Sequence, residues 1–120
     1  MERKNIGNKG EETAVNYLMK KNYELLERNW RYKKKEIDII MKDRDRLVIV
    51  EVKTRNSEQF ESPNDMITKR KQRFLIEAAD AYVMSSKINM DVRFDVVLIY
   101  NKKEQEIHHI EDAFQPNLLT

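Results

Sequence analysis

Residues 36–55 constrain the fold of this chain more than any other stretch. Two apolar, β-branched runs, 37–41 and 47–52, flank a short charged connection, 42–46. Such spacing predicts a strand, a tight turn and a returning strand. The runs are apolar at nearly every position, as in a central strand covered on both faces. Charges interrupt them all the same: Asp38 lies among isoleucines, and Glu51 and Lys53 flank Val52. Strand side chains alternate, so Glu51 and Lys53 share a face. An unpaired charge there is costly. Three of them point to a site, because carboxylates are hard oxygen ligands for Mg²⁺ and an adjacent lysine can hold a water or a phosphate.

Upstream, residues 1–8 read as a basic lead-in. Residues 8–21 have a helical pattern, with Ala14, Val15, Leu18 and Met19 in one stripe. Glu11 projects near the middle of that stripe and Glu12 at its margin. From the helix alone, Asn8 followed by Glu11 is a variant capping box, with a carboxylate at the positive helix end. Gly7 and Gly10 would admit a close backbone or ligand. Residues 23–32 predict a strand that leads into the basic turn Lys33-Lys34-Lys35. Trp30 is expected to pack rather than to stack on bases, and the lysines to be solvated.

Downstream, residues 56–65 are expected to be the least structured and the most mobile part, beside the site. They contain Ser62-Pro63-Asn64-Asp65, a turn and helix-start signal. Residues 68–85 form the clearest helix, with Leu75, Ala78, Ala79, Tyr82 and Val83 on one side. Its first turns carry Lys69, Arg70, Lys71 and Arg73, the wrong sign for a helix N-terminus unless a phosphate binds there. Residues 93–100 predict a buried strand with Asp95 near its start, and 106–110 a short last strand. His108 and His109 are adjacent, point to opposite faces and make poor co-ligands. The tail from Gln115 is expected to fray. The order is helix, three strands, helix, two strands: one α/β layer structure around a mixed sheet, a single domain over residues 1–120.

Composition sets the outer limits. Charged residues make up 37% and hydrophobic ones 40%, enough for a core. There is no cysteine, which excludes a disulfide framework, a thiolate zinc site and a cysteine nucleophile. No apolar stretch approaches membrane-spanning length, and the first residues lack a signal-peptide core, so a cytoplasmic protein without membrane contact is expected. The net charge of +2 says little about partners until its distribution is known.

Asp38 followed by Glu51-Val52-Lys53 is similar to the D…(D/E)xK signature of restriction-endonuclease-like nucleases. Several further segments accompany it: Gly7, Gly10-Glu11 and Ala14; Glu36-Ile37-Asp38-Ile39-Ile40; Thr54-Arg55; Lys71-Gln72; and Arg93-Phe94-Asp95-Val96-Val97. Together they resemble the YraN family, small bacterial proteins read as nuclease-like, over about residues 7–114. That family usually has glycine before the Glu-Ile-Asp segment, where this chain has Lys35.

The resemblance implies a restriction-endonuclease-like fold, a central mixed β-sheet flanked by helices, and a metal-dependent nuclease acting on DNA, with branched or single-stranded DNA as one class of substrate. It implies Asp38, Glu51 and Lys53 as catalytic residues. Glu11, Asp38, Glu51 and the Val52 carbonyl would hold Mg²⁺ or Mn²⁺, which reassigns Glu11 from the cap. Lys53 would orient or deprotonate the attacking water, or stabilise the developing charge. Arg55, Lys69, Lys71 and Arg73 would bind flanking phosphates. The family's likeness in fold to archaeal Holliday-junction resolvases implies a homodimer acting on branched DNA as one arrangement; no small-molecule cofactor is expected. Two other functions stay open: a non-catalytic nucleic-acid-binding module and a protein-interaction adaptor. A purely structural ion cluster, Asp38 with Lys53 and Glu51 with Arg55 or Arg93, is the plain alternative for the charges, but buried pairs give little net stability.

Overall fold

The computed structural model describes residues 2–56 and 66–116, with side chains from Lys9 onward. Helix α1 (Glu2–Met19) precedes three strands, β1 (Glu24–Tyr32), β2 (Lys35–Asp43) and β3 (Arg46–Arg55). Helix α2 (Lys69–Ser86) then leads to β4 (Asp91–Tyr100) and β5 (Glu106–Phe114). The predicted element order holds throughout. The helix-start signal at 62–65 and most of the loop expected at 56–65 lie outside the described residues, as does the tail beyond Pro116.

The five strands form one sheet in the order β1-β2-β3-β4-β5. β1, β2 and β3 are antiparallel neighbours, β3 and β4 run parallel, and β5 returns antiparallel to β4. A parallel pair needs a crossover, and α2 supplies it. This is an α/β fold of the restriction-endonuclease-like kind, a mixed sheet with a helix on each face.

Each helix buries one stripe. Ala14, Val15 and Leu18 of α1 pack on Ile39, Met41, Val48, Val50, Val97 and Ile99. Leu75, Ala78, Ala79 and Tyr82 of α2 pack on the opposite face, against Ile37, Ile40, Leu47, Ile49, Val96 and Leu98. The central strands therefore bury both faces, which is why their sequence is almost continuously apolar.

Two local details differ from expectation. α1 begins at Glu2, so residues 2–8 are helical rather than a lead-in and Glu11 lies far inside the helix. The capping-box reading of Asn8 and Glu11 therefore fails. Its cause is physical: the first turns are charged and have no apolar stripe to betray them. β5 also runs on to Phe114, whose ring stacks on Phe94 with centroids 4.8 Å apart.

With two glycines in the whole chain, tight turns fall to other residues. Lys33 in the β1–β2 turn, Arg44 in the β2–β3 turn and Lys87 at the end of α2 all have positive φ, between 55 and 59°. Lys35 is the first residue of β2 and needs no such freedom. Gly10 has a different task. A Cβ there would lie 2.8 Å from Thr54 Oγ1, so its absence lets α1 lie close to the end of β3.

Candidate active site

The site forms where β2 and β3 part. Their ladder runs from Asp43–Arg46 to Ile39–Val50 and goes no further. β2 stays paired with β1 out to Lys35, whereas β3 continues beside β4 to Arg55. The pleat of β2 also breaks at this level. Ile37 buries on the α2 face and Ile39 on the α1 face, although a regular strand would put both on one face. Opposite the break, Asn29 of β1 adopts a left-handed φ of 51°.

Asp38 sits at the break and fills the opening. Its Oδ2 accepts the backbone N–H of Val52 at 3.0 Å, replacing the lost ladder partner. A strand residue presents its N–H and C=O to the same side. The Val52 carbonyl therefore faces the opening too, in the position that a backbone ligand needs.

Glu51 and Lys53 share the α2 face, as alternation requires. Lys53 Nζ lies 3.5 Å from Glu51 Oε2. Lys71, reaching down from the first turn of α2, places its Nζ 3.7 Å from the same oxygen. The helix start that aims Lys71 is well fixed: Thr68 Oγ1 accepts the Lys71 N–H at 3.1 Å, and buried Gln72 donates its Nε2 to Ile67 O at 3.0 Å. The ion cluster thus differs from the plain alternative. Glu51 pairs with Lys53 and Lys71, and Arg93 is engaged elsewhere.

The electrostatics are those of two carboxyls forced together. The Glu51 side chain is 6% exposed. Burial, then the charge of Asp38, push its carboxyl up to about 7 against the pull of Lys71 and Lys53. Burial also raises Asp38, opposed by the Val52 N–H, the Lys71 charge, a hydrogen bond shared with Glu51 and the Lys53 charge. One Glu51 oxygen, Oε1, is buried with no hydrogen-bond partner. A buried carboxylate oxygen with no donor, in a side chain that can share a proton with the Asp38 carboxyl, suits a hard divalent cation in place of that proton.

Glu11 approaches this pair from α1. Its Oε1 accepts a hydrogen bond from Asn29 Nδ2 at 3.0 Å. Burial raises its carboxyl, Asn29 opposes the rise, and Asp38 adds to it, so the two acids feel each other. Among the described residues, however, no three acidic or histidine side chains come together as a metal-binding group. The close pair is Asp38 and Glu51, with Glu11 held back on Asn29. Asn29 gives no signal in the sequence beyond being a residue type that tolerates left-handed backbone.

The basic residues separate. Lys71 belongs to the carboxylate cluster, while Lys69 and Arg73 are exposed on α2. Arg55, at the end of β3, donates from Nη1 to Thr54 O at 3.1 Å. Glu36, a weaker candidate by sequence, pairs at 3.9 Å with Arg31 on the surface.

A second buried polar network lies at the other end of the sheet. Arg93 donates from Nε and Nη2 to the two oxygens of Asp95, each at 2.9 Å, and from Nη2 to Tyr23 Oη at 2.7 Å. His109 Nε2 lies 2.7 Å from Asp95 Oδ2, and the Asp112 N–H reaches Oδ1. His109 is a core-edge histidine, and His108 faces outward beside Glu106.

Residues 10–99 match the model of a family described as "Uncharacterised protein family UPF0102". The chain is 45% identical over 114 residues to a UPF0102 protein of Flavobacterium psychrophilum, covering 94% of this chain and 96% of that one. A UPF0102 protein of Phocaeicola vulgatus is 40% identical over 116 residues, 96% of each. One of Caldicellulosiruptor saccharolyticus is 45% identical over 118 residues, 95% of this chain and the whole of that protein.

Proposed function

This chain belongs to UPF0102, the YraN family, and we propose that its Asp38–Glu51 pair makes it a metal-dependent nuclease that hydrolyses phosphodiester bonds in DNA. The observation that carries the reading is the unpartnered, buried Glu51 Oε1 beside Asp38, with two lysines on the opposite oxygen.

Asp38, Glu51 and the Val52 carbonyl would hold Mg²⁺ or Mn²⁺, with Glu11 able to add a ligand through water. The ion would polarise the scissile phosphate and lower the pKa of a bound water. Asp38 stays in place because the Val52 N–H fixes its second oxygen. Lys53 is on the face of Glu51 and can orient the attacking water or neutralise the charge that builds on the phosphorane. Lys71 offers a second ammonium to a neighbouring phosphate, and Lys69, Arg73 and Arg55 extend the cationic track. On this reading the protein works in the cytoplasm, and no helix among the described residues is long and apolar enough to cross a membrane.

A non-catalytic nucleic-acid-binding role draws on one observation: Glu51 Oε2 has two ammonium partners, Lys53 and Lys71. A single experiment separates the two. Single-stranded, flap, junction and duplex DNA, with RNA counterparts, are incubated with wild type and Asp38→Ala in Mn²⁺, Mg²⁺ or chelator. The nuclease reading expects metal-dependent cleavage that Asp38→Ala abolishes while binding persists. Binding without cleavage on every substrate would favour the module, and no binding at all an adaptor.

A further inference from the structure

Next to the carboxylates lies an aromatic ledge that the proposed chemistry does not use. Trp30 and Tyr32 stand on β1, an edge strand, with their rings parallel to within 6° and centroids 6.4 Å apart. Phe74 of α2 continues the row, 6.1 Å from Tyr32. All three rings are only partly buried at the margin of the α2-side core. Trp30 packs edge-on against Tyr82 there at 5.1 Å, as expected of it, so contact with bases falls to the surface it leaves exposed.

Three lysines lie over two of these rings. Lys33 Nζ lies 5.2 Å from the centre of Tyr32, and Lys35 and Lys71 lie 5.7 and 5.6 Å from that of Phe74. Lys33 also meets Glu77 at 3.3 Å. Among the described residues the Lys35 ammonium meets nothing but the Phe74 ring. Three like charges on one apolar ledge, offset by Glu77 beside Lys33 and Glu51 beside Lys71, suit a polyanion that also carries flat apolar groups. Lys71 joins the ledge to the site, because the same ammonium lies 3.7 Å from Glu51 Oε2.

We propose that Trp30, Tyr32 and Phe74 form a stacking platform for unpaired nucleobases of a strand whose phosphates pass Lys33, Lys35 and Lys71 on the way to Asp38 and Glu51. The proposal rests on the nuclease reading for the presence of nucleic acid at the site, and it narrows the substrate to strands with unpaired bases beside the cut. Aromatic–base stacking is tolerant of sequence, so the platform selects single-stranded character rather than a base order.

The test needs neither metal nor cleavage. Trp30 is the sole tryptophan, so its emission reports the ledge directly. In chelator, a short thymidine oligomer is titrated beside an abasic strand of equal charge and a duplex of equal length. The expected result is quenching of Trp30 by the thymidine strand and binding about tenfold tighter than the abasic strand. Tyr32→Leu and Phe74→Leu should each remove most of that preference and keep abasic binding, while Tyr32→Phe should retain it. Circular dichroism establishes that each variant is folded. A uridine oligomer run in parallel tells DNA from RNA as the source of the bases; quenching by either supports the ledge. Equal binding of base-bearing and abasic strands, tighter binding of duplex, or unchanged preference in folded leucine variants would overturn it. Asp38→Ala keeps the two readings apart, since it should stack normally even where cleavage is absent.

Discussion

The Asp38 carboxylate accepts the Val52 N–H at 3.0 Å where β2 and β3 separate. One side chain thereby closes a broken ladder and stands ready as a ligand. A carboxylate free to rotate would hold a metal loosely. This one is held by the backbone of the strand that carries Glu51 and Lys53.

That double role can be split. Asp38→Asn keeps an acceptor for Val52 N–H, and Asp38→Ala does not. An unsatisfied buried N–H costs roughly 1–3 kcal/mol. Thermal unfolding should therefore rank Asp38→Ala about 1 kcal/mol or more below Asp38→Asn, while both lose cleavage. Equal stability of the two would show that the Val52 bond is energetically idle.

Glu51 predicts an inverse dependence of stability on pH. Its carboxyl moves from 4.5 to about 7 on folding, so the folded state favours the protonated form. Stability from this group is complete below about 4.5 and is lost as pH rises towards 7. A shift of that size corresponds to roughly 3 kcal/mol. In chelator, Glu51→Gln should match wild type near pH 4.5 and exceed it at pH 8, by up to that amount. A variant less stable than wild type at pH 8 would contradict this.

Asp95 works with the opposite sign. Burial alone would raise its carboxyl, but hydrogen bonds from His109, Arg93 and the Asp112 N–H, with the Arg93 charge, hold it below its usual 3.8. Its contribution is present above pH 3.8 and is lost as pH falls through the depressed folded value. Removing one member leaves Arg93 buried without its main partner, which costs roughly 3–5 kcal/mol. Asp95→Ala should lose that much in urea unfolding at pH 7 yet, if it folds, retain metal binding at Asp38 and Glu51. Loss of metal binding by a folded Asp95→Ala would tie the two networks together.

Gly10 offers a packing test. The Cβ of Gly10→Ala would meet Thr54 Oγ1 at 2.8 Å; turning the exposed Thr54 side chain aside, set against the ~1 kcal/mol preference of a helix for alanine over glycine, leaves a net loss of less than about 1 kcal/mol. The double variant Gly10→Ala/Thr54→Ala should recover most of the loss. Non-recovery would place the cost elsewhere in α1.

The sequence made the architecture legible because period is local information. The 2-residue alternation put Glu51 and Lys53 on one face, and the 3.6-residue stripe placed α2 within one residue of its observed limits. What it hid depends on neighbours distant in the chain. The pleat break at Asp38 lies opposite Asn29 on β1, whose backbone is left-handed, and that pairing across two strands is not given by the local pattern around Asp38. Lys71 looks like a phosphate contact until α2 is docked and its ammonium meets Glu51. Arg93 gathers Asp43 from β2, Tyr23 from the approach to β1 and Asp95 from β4, so its partners could not be chosen by spacing.

The central claim is that Asp38 and Glu51 together hold a divalent cation. Calorimetric titration of Mn²⁺ at pH 7.5, with and without a bound oligonucleotide, tests it on wild type and on Asp38→Asn. The account predicts a saturable site in wild type, tightened by the oligonucleotide because substrate phosphate completes the shell, and its loss in Asp38→Asn. No Mn²⁺ uptake by wild type, even with oligonucleotide bound, or the same uptake by the variant, would contradict it.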